Sequence, residues 1–398
     1  MVKRRRRIRF LRWRPIFLLA LGIALALIIF AIGPSFIAKR FNPTRKATVQ
    51  PIASASKSLH PSLTIADLHA DSLLWGRDLT KSGSYGHVDI PRLIQGNVAL
   101  QTFTVVTKVP TPLKLEGNSD QSDNILRLAI LQRWPISTWL SLKARALYQA
   151  KQLEELEQKA SEQFRVIQTA ADLERYLAQR RDNPKMTAGL LGLEGAQALE
   201  GKLGNVDVLY EAGFRVIGLA HFFDNEVSGS VHGLDKNGLT PLGKEVLRRL
   251  EDFGMIVDLA HASPQTINDV LQLTERPVLV SHTGVRGTCD NVRNLSDRNL
   301  QRIAQTDGII GIGFWETAVC GENVDAIANA IRYTTDLVGV DHVALGSDFD
   351  GAVQMPFDAS QMVQITDALR KKGFADIEIQ KIMGLNVIRF LQQTLPAS

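Results

Sequence analysis

Seven ionisable residues in this chain share one placement: each stands at or just beyond the end of a short apolar run. His69 and Asp71 follow Leu63–Leu68, Glu194 ends GLLGLE, His221 ends IGLAH, His261 ends IVDLAH, His282 ends VLVSH and Asp348 ends VALGSD. Four imidazoles and three carboxylates in one place would make a divalent-metal site. That mixture suits zinc, and it is large enough for two ions. Taken singly, each residue is weak. A His-x-Asp step can be a capped turn, and a lone histidine after an apolar run is more often a hydrogen-bonded core residue. Glu194 can open a helix, and the acids of SDFDG can close an Asx turn. The joint pattern favours the metal. His342 precedes its run and falls at the opposite end, while His60, His87 and His232 sit in linker or loop contexts and read as non-ligands.

The elements that must position these groups are eight β-rich runs: Leu63–Leu68, Val98–Val106, Ala188–Leu193, Arg215–Leu219, Met255–Leu259, Val278–Val280, Ile309–Phe314 and Val343–Leu345. Several are almost continuously apolar, as parallel strands covered on both faces are. Helical stretches separate them; Leu239–Phe253 carries Pro241 near its start, where proline fits a first turn. Residues 121–181 predict two or three helices between strands two and three, with AKQLEELEQKASEQ as a solvated face. The α/β alternation predicts a (β/α)8 TIM-type barrel with that helical insertion, a doubly wound open sheet being the alternative. In a barrel all strand C-termini open onto one face, so the seven side chains converge.

Charge is divided unevenly. Residues 1–66 hold thirteen Lys/Arg and no acid, which leaves 33 basic against 41 acidic side chains in 67–398, a net charge near −8. Nucleic-acid binding by the body is disfavoured. Eight basic residues between Lys3 and Arg14 precede an uncharged stretch from Pro15 to Ala38, whose core Ile16–Ile32 is almost purely aliphatic. About 20 such residues cross a hydrocarbon core. A cleaved signal peptide is the competing reading, but its apolar region is shorter and a small-residue site follows closely. Lys39 and Arg40 follow here instead, which favours an uncleaved transmembrane helix. The basic excess before the span puts the N-terminus in the cytoplasm and the body outside, at the cell membrane. The expected division is a basic cytoplasmic tail (1–14), a transmembrane anchor (15–38), a Pro/Ser/Thr-rich linker holding the body off the membrane (39–61) and the barrel (62–398). Cys289 and Cys320 suit an exported protein with one disulfide, two unrelated buried thiols being the alternative.

The ordered motifs DLHADS, GHVDIPRL, GLLGLEG, LTPLGKEVLRRLEDFGMIVDLAHAS, VLVSHTG, NVRNLSD, HVALGSDFDG and GLNVIRFL resemble the membrane (renal-type) dipeptidases within the amidohydrolase barrels, over about residues 62–392. The resemblance implies two zinc ions per subunit. His69 and Asp71 would hold one, His261 and His282 the other, and Glu194 would bridge them. It implies that His221 contacts substrate and steadies the developing oxyanion, that Arg293 holds the substrate carboxylate and that Asp348 is the acid/base residue. Cys289 and Cys320 match a disulfide of mammalian members. Gln197 stands where many relatives carry a histidine, and the 121–181 insertion is longer than usual. Mammalian relatives are held by a C-terminal lipid anchor, whereas QQTLPAS has no apolar tail.

The activity so implied is hydrolysis of short peptides by a metal-activated water, with the bilayer as the other partner and a homodimer left open. One rival is another amidohydrolase, a lactonase, phosphotriesterase-like enzyme or cyclic amidase. Those barrels commonly bridge their metals with a carbamylated lysine, and no lysine ends a predicted strand here. A second rival is an inactive, membrane-tethered binding barrel, which would have no need of Asp348.

Overall fold

The computed structural model describes residues 7–44 and 51–397. Its sheet is wholly parallel and has nine strands: β1 (Ile65–Ala70), β2 (Val98–Val106), β3 (Phe164–Ile167), β4 (Thr187–Glu194), β5 (Phe214–Gly218), β6 (Ile256–Asp258), β7 (Leu279–Thr283), β8 (Ile309–Ile312) and β9 (Val343–Leu345). Eight of them close a barrel. β1 pairs with β2 and β9, β2 pairs directly with β4, and β4 through β9 follow in order. All nine strands are buried except for the middle of β3, as strands between a filled interior and a helical coat must be.

β3 is the element the sequence did not predict. The segment FRVI follows a long charged helix and has two half-buried central residues, so no apolar run marks it. It lies against the first half of β4, from Phe164 opposite Thr187 to Ile167 opposite Leu190. β5 takes over the same edge from Leu191 onward. The 121–181 insertion thus holds helices at Asn124–Leu131, Ser137–Leu140, Leu142–Lys159 and Ala170–Asp182 with a strand among them.

The helical coat starts where the side chains dictate. Thr240 accepts from the Gly243 N–H and Pro241 opens the helix Pro241–Asp252; Ser263 caps Pro264–Leu273 in the same way. At the N-terminal end of the barrel, Leu68, Leu100, Leu190 and Ile256 pack with Val387, Phe390 and Leu391 of the final helix Asn386–Thr394. That end is therefore filled with hydrocarbon, and the polar groups lie at the other.

One helix, Arg7–Phe41, contains a stretch, Ile16–Phe41, long and apolar enough to cross a membrane; a signal sequence would meet the same description. Its last turns are not free. Ala38 is fully buried among Leu74, Trp75, Leu128 and Ala129, and the Arg133 guanidinium donates to the Phe30 carbonyl at 2.8 Å. Beyond the helix, Asn42 accepts from the Ala352 N–H and the Pro43 carbonyl from the Met355 N–H. Residues 1–6 of the basic tail and 45–50 of the expected linker lie outside the described residues. The linker expectation needs correction on both sides of that gap. Lys39–Phe41 continue the helix, and Ser54–Leu59 form another that is held to the body. Asp367 accepts from the Ala53 N–H, and the buried His60 ring meets Thr366 and the Gly96 carbonyl. Pairing of these polar groups with distant residues, rather than any local pattern, orders the segment.

A candidate metal centre at the barrel mouth

All seven groups expected from the strand ends meet at one mouth. His69 Nε2 lies 3.6 Å from both Asp71 Oδ1 and Glu194 Oε1 and 3.9 Å from Asp348 Oδ1. Glu194 Oε1 is also 2.9 Å from His261 Nε2 and 3.5 Å from His282 Nε2, while its other oxygen is 3.2 Å from His221 Nε2. Glu194 is thus the hub. Three triads have ligand atoms within 4.8 Å of one another: His69, Glu194 and His282; Glu194, His221 and His261; His69, Asp71 and Asp348. These sets cut across the pairing that the resemblance implies, since His282 groups with His69 and His221 enters with His261.

In His69, His261 and His282 the opposite ring nitrogen is fixed from outside. Ser281 Oγ stands 3.1 Å from His69 Nδ1 and 3.0 Å from His282 Nδ1. His232 Nε2 stands 3.0 Å from His261 Nδ1, and the Leu115 carbonyl accepts from His232 Nδ1 at 2.6 Å. Thr104 donates to Asp71 Oδ1 at 2.6 Å. Holding Nδ1 in this way aims Nε2 and sets the tautomer, as ligating histidines require. His69 Nε2 is itself buried without a hydrogen-bond partner although three carboxylates surround it. A cation would satisfy that lone pair, so the donor set fits a metal.

Electrostatics point the same way. Burial pushes Asp71 up to about 7 and lifts Glu194 and Asp348 well above the ordinary carboxylate range, each carboxylate raising its neighbours further. Burial also holds His69 down at about 3 and puts His221, His261 and His282 well below the usual imidazole value, helped by the positive Arg293. A dry cluster in which acids resist ionising and imidazoles resist protonation becomes stable when a divalent cation supplies the missing charge. Backbone strain sits at the same place: His261 (φ 61°) and Asp348 (φ 64°) are both left-handed without being glycine.

The pocket above the cluster has a volume of about 350 Å³, at the small end for a ligand site. Trp75, Leu113, Leu115, Phe222, Trp315 and Val353 form its apolar walls. Arg293 is buried at its side. The guanidinium donates to the His282 carbonyl at 2.9 Å and lies 5.7 Å from the Trp315 ring centre, so its described partners include no anion within ion-pair distance. Burial lowers it to about 10. Cys289 and Cys320 are joined by a disulfide that links the Arg293 loop to the segment after Trp315. Asn294 reinforces the link by donating to the Cys289 and Ala318 carbonyls.

Sequence reasoning missed the parts played by His232 and Asp350. His232, read as a loop histidine without a task, touches His261 and lines the pocket; no strand precedes it and no spacing marks it. Asp350 is not a simple turn residue. Fully buried, it pairs with Arg77, accepts from Ser72 Oγ and the His87 N–H, and its carbonyl accepts from Trp75 Nε1. His87 and Arg77 thereby shape the loop after β9. Gln197 is buried and donates to the Glu194 carbonyl at 3.2 Å. His60 and His342 lie away from the cluster and are bonded elsewhere.

Comparison with known proteins adds an independent line. Residues 53–397 match the family model described as membrane dipeptidase (peptidase family M19). A dipeptidase of Claviceps purpurea, tcpJ, is 29% identical over 317 residues, covering 77% of this chain and 69% of that protein. An uncharacterized dipeptidase of Schizosaccharomyces pombe is 28% identical over 78% of this chain and 73% of its own length. Among solved structures, dipeptidase AC, a metallo peptidase of family M19, aligns with a TM-score of 0.70 at 21% identity, over 84% of this chain and 99% of that one. A Rhodobacter sphaeroides metallo peptidase liganded with a phosphinate mimic of the dipeptide L-Ala-D-Ala aligns with a TM-score of 0.69 at 23% identity, over 83% and 99%. At those identities the structural likeness speaks for the fold.

Proposed function

Since this chain belongs to the membrane dipeptidase family, peptidase family M19, we propose that it is a two-zinc dipeptidase held at a membrane by its N-terminal helix. As a member it is a metallopeptidase of the dipeptidase type, with dipeptidases among its relatives. The observation that carries the finer reading is Glu194, whose carboxylate faces His69, His261 and His282 through one oxygen and His221 through the other. His69, Asp71, Glu194, His261 and His282 would hold the metals. Two divalent cations bound there would supply Lewis acidity and a nucleophilic water at neutral pH.

The chain's own residues do the rest. Asp348, whose carboxyl is lifted above the ordinary carboxylate range by burial, serves as acid/base: it takes the proton of the attacking water and passes it to the leaving amine. His221 donates to the carbonyl oxygen as it gains charge. Arg293 offers a planar fork to the free carboxylate of the substrate, which a guanidinium matches better than an ammonium. Trp75, Trp315 and the Leu113–Leu115 loop limit the pocket to a small substrate and exclude water. A C-terminal D-residue is a reasonable second residue, given the ligand held by the Rhodobacter sphaeroides protein. The helix Ile16–Phe41 supports single-pass anchoring with the barrel outside the cytoplasm.

The test is zinc analysis of the purified full chain coupled to hydrolysis of L,L- and L,D-dipeptides, lactones and phosphoesters. Two equivalents of zinc with dipeptide turnover are expected. Turnover of lactones or phosphoesters alone would favour another amidohydrolase chemistry, and metal binding without turnover would favour a binding barrel.

A further inference from the structure

The insertion between β2 and β4 carries apolar side chains that nothing on the barrel covers. Ile136 is 75% exposed and Leu140 is 96% exposed, with Ile130 exposed beside them. They lie on the helices Asn124–Leu131 and Ser137–Leu140 and the turn joining them. Between Asn124 and Leu153 there is no acidic residue, although the barrel as a whole is acidic. Arg127 and Arg133 are exposed in the same segment, and Trp139 is half-buried next to Leu140 in sequence. Exposed aliphatics, arginines and a tryptophan together compose the surface of a protein element that lies in a lipid interface.

The position of this face decides its occupant. A Cβ on Gly33 would meet the Leu131 side chain at 3.2 Å, and Arg133 bonds the Phe30 carbonyl. Phe30 precedes the polar boundary at Lys39 by nine residues, roughly 13 Å along a helix axis. A body that grips the helix at that level cannot stand wholly clear of a bilayer the helix crosses. The interfacial zone is only several Å deep on each side, so the tip of the insertion must enter it. We propose that the segment Asn124–Leu140 is a second membrane contact: Ile130, Ile136 and Leu140 enter the outer leaflet while Arg127 meets anionic headgroups and Arg133 stays on the Phe30 carbonyl. This rests on the reading of Ile16–Phe41 as a membrane span. The nearest acids are already engaged, Asp123 by Arg145 and Glu200 by Ser141 and the Lys143 N–H, so the segment's own charges are basic; set beside a span, such a face suits anionic lipid.

The test uses the full chain, whose native cysteines are tied in a disulfide, reconstituted in vesicles of phosphatidylcholine and phosphatidylglycerol. Leu27→Cys, Leu140→Cys and Glu162→Cys variants are labelled one at a time with an environment-sensitive fluorophore, and lipids brominated on the acyl chains serve as quenchers. Leu27 lies in the span, and Glu162 is exposed just before β3, at the other end of the barrel. Emission is expected to be lost at Leu27 and Leu140 and retained at Glu162. Loss at Leu27 alone overturns the second contact and leaves the span standing. Retention at both Leu27 and Leu140 overturns the span, and the contact with it. Retention at Leu140 together with chain-to-chain disulfide crosslinking of unlabelled Leu140→Cys assigns the face to a second copy instead.

Discussion

Replacing Arg293 by methionine tests the carboxylate clamp in two opposite directions at once. The guanidinium is buried, and its described partners are a backbone carbonyl and a ring face, not an acid. Burial brings it from the ordinary arginine value down to about 10. A drop of that size corresponds to about 3 kcal/mol against the charged form in the empty pocket. A substrate carboxylate recovers that energy, so losing it raises KM for a dipeptide roughly a hundredfold, with kcat nearly unchanged. In the substrate-free protein the sign reverses. Removing a buried, unpaired charge relieves the penalty, and loss of the hydrogen bond to His282 offsets about 1.5–3 kcal/mol of it. Arg293→Met is therefore expected to be as stable as the parent, or more stable by about 1 kcal/mol, in urea unfolding. The kinetic assay compares a dipeptide with its C-terminal amide. The parent should prefer the free acid strongly, and the variant should treat the two alike. An unchanged preference for the acid in a folded variant would refute the clamp. A large loss of stability would refute the account of Arg293 as a strained cation awaiting an anion.

Three further outcomes follow from the surroundings of the site. His232→Ala removes the partner of His261 Nδ1, so zinc affinity measured by chelator competition should fall about 10- to 100-fold; unchanged affinity would reduce His232 to a pocket wall. For Asp350, burial alone would raise the carboxyl, but Arg77, His87 and the hydrogen bonds from Ser72 and the His87 N–H outweigh it and hold the group below the ordinary value. Its contribution is therefore complete above about pH 4 and is lost as pH falls through the lower folded-state value. The gap in urea stability between the parent and Asp350→Asn should narrow between pH 5 and pH 2, and a gap that widens would reverse the assignment. Cys289 and Cys320 close a loop with a sequence separation of 31 residues. In the chain-entropy model that bond contributes roughly 3–4 kcal/mol, so the double serine variant should unfold at correspondingly lower urea, with a larger m-value because its unfolded chain is free to expand. A loss below about 1 kcal/mol would hand the tethering role to Asn294.

The barrel and its polar mouth were legible because both follow from periodicity. A closed parallel sheet sends every strand C-terminus to one side, so apolar runs ending in His69, Glu194, His261 or His282 name a common place without any knowledge of loops. What escaped depended on contacts distant in sequence. β3 exists because the first half of β4 has an edge to offer, and its two half-buried residues leave no apolar signature. His232 reaches His261 along an irregular loop, and only the fold brings them within 3.0 Å. The segment around Ser54–Leu59 looked like a spacer since its polar residues find their partners 300 residues away, on Thr366 and Asp367. The grouping of ligands at Glu194 was beyond reading for a similar reason: order along the chain fixes which strand a histidine ends, and side-chain packing fixes which oxygen it faces.

The junction between the N-terminal helix and the barrel has a consequence for access. Ala38 shares a cluster with Leu74 and Trp75, and Asn42 accepts from Ala352, while Leu74, Trp75 and Ala352 all line the pocket. Among the described residues, the doorway and its mooring are therefore in direct contact. With the helix in a bilayer, the doorway would stand at a set height and angle close above the lipid. Bulky polymers would collide with that floor before reaching it, whereas a two-residue solute would slip in from the side, so selection by size would begin outside the pocket.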